Sequence, residues 1–175
     1  AADLTNQMLA FSGKGKFVVQ TLGLNAAVEE MNHLLRTFIS KRAQLTFNLS
    51  DQQPAVVGDA SQIRQVLMNL ITNASDSLEE GNGEIRVTTG EMSLTTEWLQ
   101  DAFIEVEDPG ARYAFIQVED TGCGMDEETQ RRIFDPFFTT KFTGRGLGLA
   151  AVLGIVRGHK GAIKVQSEPG KGTCI

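Results

Sequence analysis

Apolar residues along this chain recur with two different periods, and the alternation between them predicts the elements. Leu4, Met8, Leu9 and Phe11 fall at helical spacing, so residues 1–12 read as the last turns of an amphipathic helix, ended by Gly13 and Gly15. Residues 18–22 are β-rich. A helix is predicted from residue 26 to about 39, N-capped by Asn25, with Val28, Met31, Leu34, Leu35 and Phe38 inward. Residues 45–49 alternate as a half-buried strand does, and Val56-Val57 makes a short strand before Gly58. A second long helix, 61 to about 78, carries Ile63, Val66, Leu67, Leu70, Ile71 and Leu78 inward. Residues 85–88 and 115–118 alternate as strands. Between them, residues 93–111 hold Glu97, Asp101, Glu105, Glu107 and Asp108 and read as an acidic, elaborated hairpin open to solvent. A third helix is expected over about 149–159, a strand over 163–165 and another in the final residues 173–175. The sum is an α/β fold: a two-layer sandwich in which one mixed sheet carries helices on one face.

Composition narrows the function classes. With 41% hydrophobic residues in 175, the chain can bury one sizeable core. A net charge of -6 argues against nucleic acid, which calls for a basic face. No apolar run approaches the roughly 18 residues of a membrane span, and no signal segment opens the chain. Cys123 and Cys174 make neither a disulfide framework nor a metal pair, and read as reduced cytosolic thiols. The start on Ala1-Ala2 and the end on Cys174-Ile175 read as those of an excised piece of a longer protein.

Three glycine clusters carry the candidate chemistry. Asp120-Thr121-Gly122-Cys123-Gly124-Met125 follows a strand, Gly144-Arg145-Gly146-Leu147-Gly148-Leu149 precedes a helix, and Gly170-Lys171-Gly172-Thr173 lies near the end. Glycine serves where backbone must approach a ligand or take positive φ, and a glycine-rich turn entering a helix offers free N–H groups to phosphate. None is a P-loop, and the second misses the dinucleotide fingerprint by one residue. On the helix ahead of them, Asn69 and Asn73 stand four apart on one face among apolar neighbours. Such amides either satisfy backbone groups in the core or meet a polar ligand. Their carbonyl oxygens are hard neutral donors suited to Mg²⁺ on nucleotide phosphates.

Together with Ile133-Phe134-Asp135-Pro136-Phe137-Phe138, these segments resemble the nucleotide-binding boxes of the ATPase/kinase superfamily that groups gyrase, the Hsp90 chaperones, histidine kinases and the MutL repair proteins. All five boxes occur in the family's order, from about residue 18 to the end. The resemblance implies a Bergerat-type sandwich that binds ATP and Mg²⁺ under a lid that closes on nucleotide. It makes Asn73 the principal Mg²⁺ ligand with Asn69 assisting, and Asp120 the acceptor of the adenine amine. Gly122 and Gly124 let the backbone pass the base, Met125 lines its pocket, and the Thr173 hydroxyl meets the adenine edge. Gly146 and Gly148 offer N–H groups to the phosphates, and Lys141 and Arg145 supply the nearest cations. Phe134, Phe137 and Phe138 form the hinge of the lid, with core packing the competing reading for Phe134. The nucleotide's surroundings extend to Asp76, Thr140, Gly144, Leu147 and Leu149.

Within the superfamily, the gyrase, Hsp90 and MutL branches typically place a glutamate base four residues before the magnesium asparagine. This chain has the amide of Asn69. A neutral imidazole needs no such base, so the set resembles the catalytic domain of a sensor histidine kinase, of the short-lid type of the nitrogen-regulator and hybrid kinases. Asp76 stands where many of these kinases carry a phosphate-binding lysine, and either the metal shell or the sugar could occupy it. His33 and His159 lack the context of a phosphoacceptor. The implied organisation is the end of a dimerisation and phosphoacceptor helix in residues 1–15 and the ATP-binding domain in 16–175. The implied partners are an acceptor histidine domain, in the same polypeptide or a dimer partner, and a response regulator. The parent is expected to be a homodimer, with this domain in the cytoplasm and an anchor in the inner membrane. The rival readings are a gyrase/Hsp90-type ATPase and a nucleotide-binding module without catalysis.

Overall fold

A computed structural model describes residues 18–175 apart from 42, 79–82, 105, 107, 109, 142 and 143, and leaves out the Phe38 side chain. The helix expected over residues 1–12, its stop at Gly13 and Gly15, and Glu105 and Glu107 of the acidic stretch lie outside the described residues.

The chain runs β1 (Gln20–Gly23), α1 (Leu24–Phe38), β2 (Ala43–Asn48), β3 (Ala55–Gly58), α2 (Ala60–Ser77), β4 (Gly83–Ser93), α3 (Thr96–Gln100), β5 (Arg112–Asp120), α4 (Glu127–Arg132), α5 (Gly148–Gly158), β6 (Gln166–Glu168) and β7 (Gly172–Cys174). Five strands form one mixed sheet in the order β2-β4-β5-β7-β6, and β1 pairs with β3 in a small antiparallel ribbon. The β2–β4 pair is parallel and the others antiparallel, which bears out the two-layer α/β expectation. β4 and β5 run side by side over nine pairs, from Ile85↔Asp120 to Ser93↔Arg112. That register puts Asp120 at the end of β5, flanked by Ile85 and by Thr173 of β7.

Alternation divides the sheet's two faces. Ile85, Val87 and Val118 turn into the core, while Arg86 faces out and pairs with Glu119 at 3.2 Å. Helix α2 lies between α1 and α5 and packs on β5. Leu67 and Ile71 on α2, Leu35 on α1 and Ile155 on α5 are almost fully buried at that junction. Leu34, expected inward, is 46% exposed; the buried stripe of α1 runs through Val28, Met31 and Leu35.

Three local expectations are corrected. Asn25 is not an N-cap, since α1 begins at Leu24 with Gly23 in the cap position. Its buried side chain donates to the Ser50 carbonyl at 2.8 Å and accepts from the Thr89 hydroxyl at 2.6 Å, tying α1 to β4. Residues 163–165 are not a strand: Lys164 makes one isolated bridge to Ala102, Ile163 is buried in the core, and β6 lies further on in a polar tripeptide. The long acidic hairpin contains α3, capped by the Thr95 hydroxyl, which accepts from the Trp98 N–H. Elsewhere the predicted elements stand within a few residues of their places. The start of α2 is fixed by Asp59, whose carboxylate accepts from the N–H groups of Ser61 and Gln62 and from that of Val18. The Ser61 hydroxyl, which also donates to this carboxylate, and then those backbone donors hold its carboxyl below the usual value. No helix among the described residues is long and apolar enough to cross a membrane.

Candidate functional site

The carboxy-terminal half of α2 presents Leu70, Asn73, Ala74 and Ser77, spaced three and four apart, to one side. They wall a cavity of about 790 Å³. Its floor comes from the ends of β5 and β7, through Val118, Asp120 and Thr173, and from the turn carrying Gly124 and Met125. The facing wall comes from residues 138–141 and 144–149, with Thr140, Lys141, Gly144, Arg145, Gly146, Leu147 and Gly148 all lining it. The sheet and two helices thus bring the three glycine-bearing regions and the second asparagine to one space.

At one end Asp120 is buried at 7% exposure. The Gly122 N–H donates to its Oδ1 at 2.8 Å and the Ser77 hydroxyl donates to the same oxygen, Oγ lying 2.9 Å away. Burial pushes the Asp120 carboxyl above its ordinary value. The Gly122 N–H, the Ser77 hydroxyl, the Thr173 backbone and the charge of Lys141 work in the other direction. Gly124 takes φ +65°, and a side chain there would run into the Glu168 carbonyl. Under this turn the Ser167 hydroxyl accepts from the Met125 N–H at 2.9 Å and sits 2.9 Å from the Thr173 hydroxyl. Gln130 on α4 donates to the carbonyls of both Met125 and Ser167. This end is therefore a buried carboxylate in a hydrogen-bonded frame.

The other end is more open. Lys141 Nζ lies 3.3 Å from Asn73 Oδ1 and 3.0 Å from Asp76 Oδ2, so one ammonium spans from the facing wall to α2. Arg145 is exposed beside it. Asn69 uses its amide differently from Asn73: Nδ2 donates to the Gly148 carbonyl at 3.1 Å and holds the first residue of α5 against α2. The facing wall is pinned where the Phe137 N–H donates to the Gly146 carbonyl at 2.8 Å.

Four of the residues selected from sequence, Asn69, Gly122, Phe134 and Phe137, do not line the cavity. Asn69 stands behind Gly148. Gly122 lies beneath the turn, where a Cβ would overlap the Ser77 hydroxyl. Phe134 is buried in the core, edge-on to Phe103 with centroids 4.6 Å apart. Phe137 is 69% exposed, and Phe138 reaches the wall with the Arg132 guanidinium 4.3 Å above its ring. Sequence reasoning passed over Ser77, Ser167, Gln130 and Arg132. Only Ser77 carried a signal, since it stands four residues beyond Asn73 on the same face. His159 is occupied on both ring nitrogens: Nε2 accepts from the Asp59 N–H at 3.1 Å, so Nδ1 carries the proton and donates to the Ile155 carbonyl.

Comparison with known proteins agrees with this geometry. The family model described as histidine kinase-, DNA gyrase B-, and HSP90-like ATPase matches residues 58–175, which hold every wall of the cavity. Over its whole length the chain is 36% identical to the sensor kinase CckA of Brucella abortus (strain 2308). Over 97% of its length it is 36% identical to the signal transduction histidine-protein kinase AtoS of Escherichia coli (strain K12). It spans 18% and 25% of the length of those relatives. The full-length structure of ShkA in complex with AMPPNP superposes with a TM-score of 0.74 at 23% identity, over 98% of this chain and 34% of that one. That likeness concerns the fold. A buried aspartate at one end, an amide and cations at the other, and a sequence match running through all of them have one explanation: the chain belongs to the histidine kinase-, DNA gyrase B-, and HSP90-like ATPase family.

Proposed function

We propose that this chain is the ATP-binding catalytic domain of a two-component sensor histidine kinase, which binds Mg-ATP and passes its γ-phosphate to a histidine on a phosphoacceptor domain. The observation that carries the reading is the polarity of the cavity. Asp120 is a base acceptor at the closed end; Asn73, Lys141 and Arg145 are phosphate and cation partners at the open end. Asn73 Oδ1 already faces a cation, the Lys141 ammonium, which supports its fitness for Mg²⁺. Bound there, Mg²⁺ would neutralise charge on the phosphates. Lys141 and Arg145 share that task, while the N-terminus of α5 offers backbone N–H groups.

Catalysis in this reading is positioning and charge neutralisation. Asn69 supplies no base: it is an amide, and it is committed to Gly148. A hydroxyl or water nucleophile would need a proton acceptor in that place, whereas a neutral imidazole does not, which favours histidine phosphorylation over a gyrase/Hsp90-type ATPase. The nearby carboxylate, Asp76, is paired with Lys141. The similarity to CckA and AtoS supports the same choice. The reading extends to residues 1–15 as the end of the dimerisation and phosphoacceptor helix, to a homodimeric parent anchored in the inner membrane, to a cytoplasmic site where ATP is available, and to a response regulator downstream.

The test supplies the chain with a separate phosphoacceptor domain from a related kinase and γ-labelled ATP. Label should appear on the acceptor histidine and stay absent when Asn73→Ala replaces the wild type. Steady release of inorganic phosphate with no labelled acceptor would move the assignment to the ATPase branch.

A further inference from the structure

The base end of the cavity contains a side chain with no role so far. Ser77 is the last residue of α2 and touches the Asp120 turn in two ways. Its hydroxyl oxygen lies 2.9 Å from Asp120 Oδ1, and its carbonyl accepts from the Cys123 N–H at 3.1 Å. The approach is possible because residue 122 is glycine, since any Cβ there would overlap the Ser77 hydroxyl. Asn73 stands one helical turn earlier on the same face, so the helix that offers the metal ligand also holds the base acceptor.

We infer that Ser77 is a positioning residue that sets the specificity of this site for adenine, by donating to Asp120 Oδ1 and leaving Oδ2 to the exocyclic amine of the base. The inference rests on the reading of Asp120 as the adenine acceptor. The geometry supplies the physical reason. A carboxylate turns about its terminal bond unless donors fix its plane, and here two donors, Ser77 Oγ and Gly122 N, meet the same oxygen. The Ser77 hydroxyl has a single proton and also lies 2.7 Å from the Ala74 carbonyl. When Asp120 is ionised the proton belongs to the carboxylate, the stronger acceptor. When Asp120 is neutral it can return to the helix carbonyl. Removing the hydroxyl leaves the carboxylate to the Gly122 N–H and the Thr173 backbone and loosens its plane. The loss falls on recognition of the amine and spares the phosphates, which are bound at the other end of the cavity.

The experiment compares ATP with purine riboside 5′-triphosphate, which lacks the 6-amino group, by calorimetry on wild type, Ser77→Ala and Asp120→Asn. Wild type should favour ATP by about tenfold or more. Ser77→Ala should weaken ATP about fivefold while changing the purine analogue by less than about twofold, so that the preference collapses. Asp120→Asn should abolish the preference. Equal losses for both nucleotides in Ser77→Ala, or an unchanged preference, would overturn the assignment of Ser77 and leave Asp120 standing. A wild type with no preference, together with an inert Asp120→Asn, would remove the adenine reading itself and Ser77 with it.

Discussion

The two ends of the cavity are built on opposite principles. At the end proposed for the base the polar groups are tied into the fold: Asp120 Oδ1 is held by Ser77 and Gly122, Thr173 by Ser167, and Met125 by Ser167 and Gln130. At the phosphate end Lys141, Asp76 and Arg145 are charged and half-exposed to exposed, and one ammonium serves two acceptors. The first is preorganised and its cost has been met in folding; the second must exchange its internal contacts for ligand contacts on binding. On the proposed reading, selectivity for the base resides in rigid elements, and response to metal and salt resides in solvated charges.

That contrast can be broken experimentally, beginning at the base end. Asp120→Asn should weaken ATP-analogue binding about 10- to 100-fold, the loss expected when a charged hydrogen-bond partner is removed, and by the same factor with and without Mg²⁺ in calorimetry. Asn73→Ala should weaken binding about tenfold with Mg²⁺ present and hardly at all in its absence. If both variants lose affinity in the same metal-dependent way, the two ends are not independent. Lys141→Ala should cost about two- to fivefold at low ionic strength and become indistinguishable from wild type near 1 M salt, because its charge is partly exposed.

The smallest effect concerns stability. Burial raises the folded-state pKa of Asp120 above its ordinary 3.8, so the folded protein favours the protonated carboxyl. Its contribution is fully present below 3.8 and is lost as pH rises through the folded value. At neutral pH the ionised side chain is therefore a burden on the empty fold. Asp120→Asn should melt at a slightly higher temperature than wild type near pH 7, with the difference shrinking toward pH 4. A lower melting temperature at pH 7 would mean that the hydrogen bonds from Gly122 and Ser77 outweigh the burial of the charge.

Much of the architecture was legible because it follows from periodicity. The stripe on α2 through Val66, Leu67, Leu70 and Ile71 is buried as its spacing requires, and the alternation in β4 and β5 places Ile85, Val87 and Val118 inward. Failures came where a side chain found partners far along the chain. Asn25 looked like a helix cap because its two partners, Ser50 and Thr89, are invisible to local reading. Residues 163–165 looked like a strand because Ile163 is a core residue, and β6 went unseen because Gln166–Glu168 is short and polar. At the site, Phe134 proved to belong to the core and Asn69 to a clasp on α5, for the same reason.

Sequence by itself determined the inventory: which segments are helix or strand, that glycines interrupt the chain at three places, and that two amides and a carboxylate stand among apolar neighbours. These depend on residue type and on neighbours within a turn or two, where backbone periodicity governs. Tertiary structure alone decided how those parts meet. It set the pairing of Asp120 with Thr173, the closing of Asn69 on Gly148, the reach of Lys141 across to Asn73, and the seating of Ser77 on Asp120. Ser77 and Asp120 are 43 positions apart, and Asn69 and Gly148 are 79. Hydrogen bonds and charges act over a few ångströms, so their partners are fixed only when packing of the core has brought the elements to their final places.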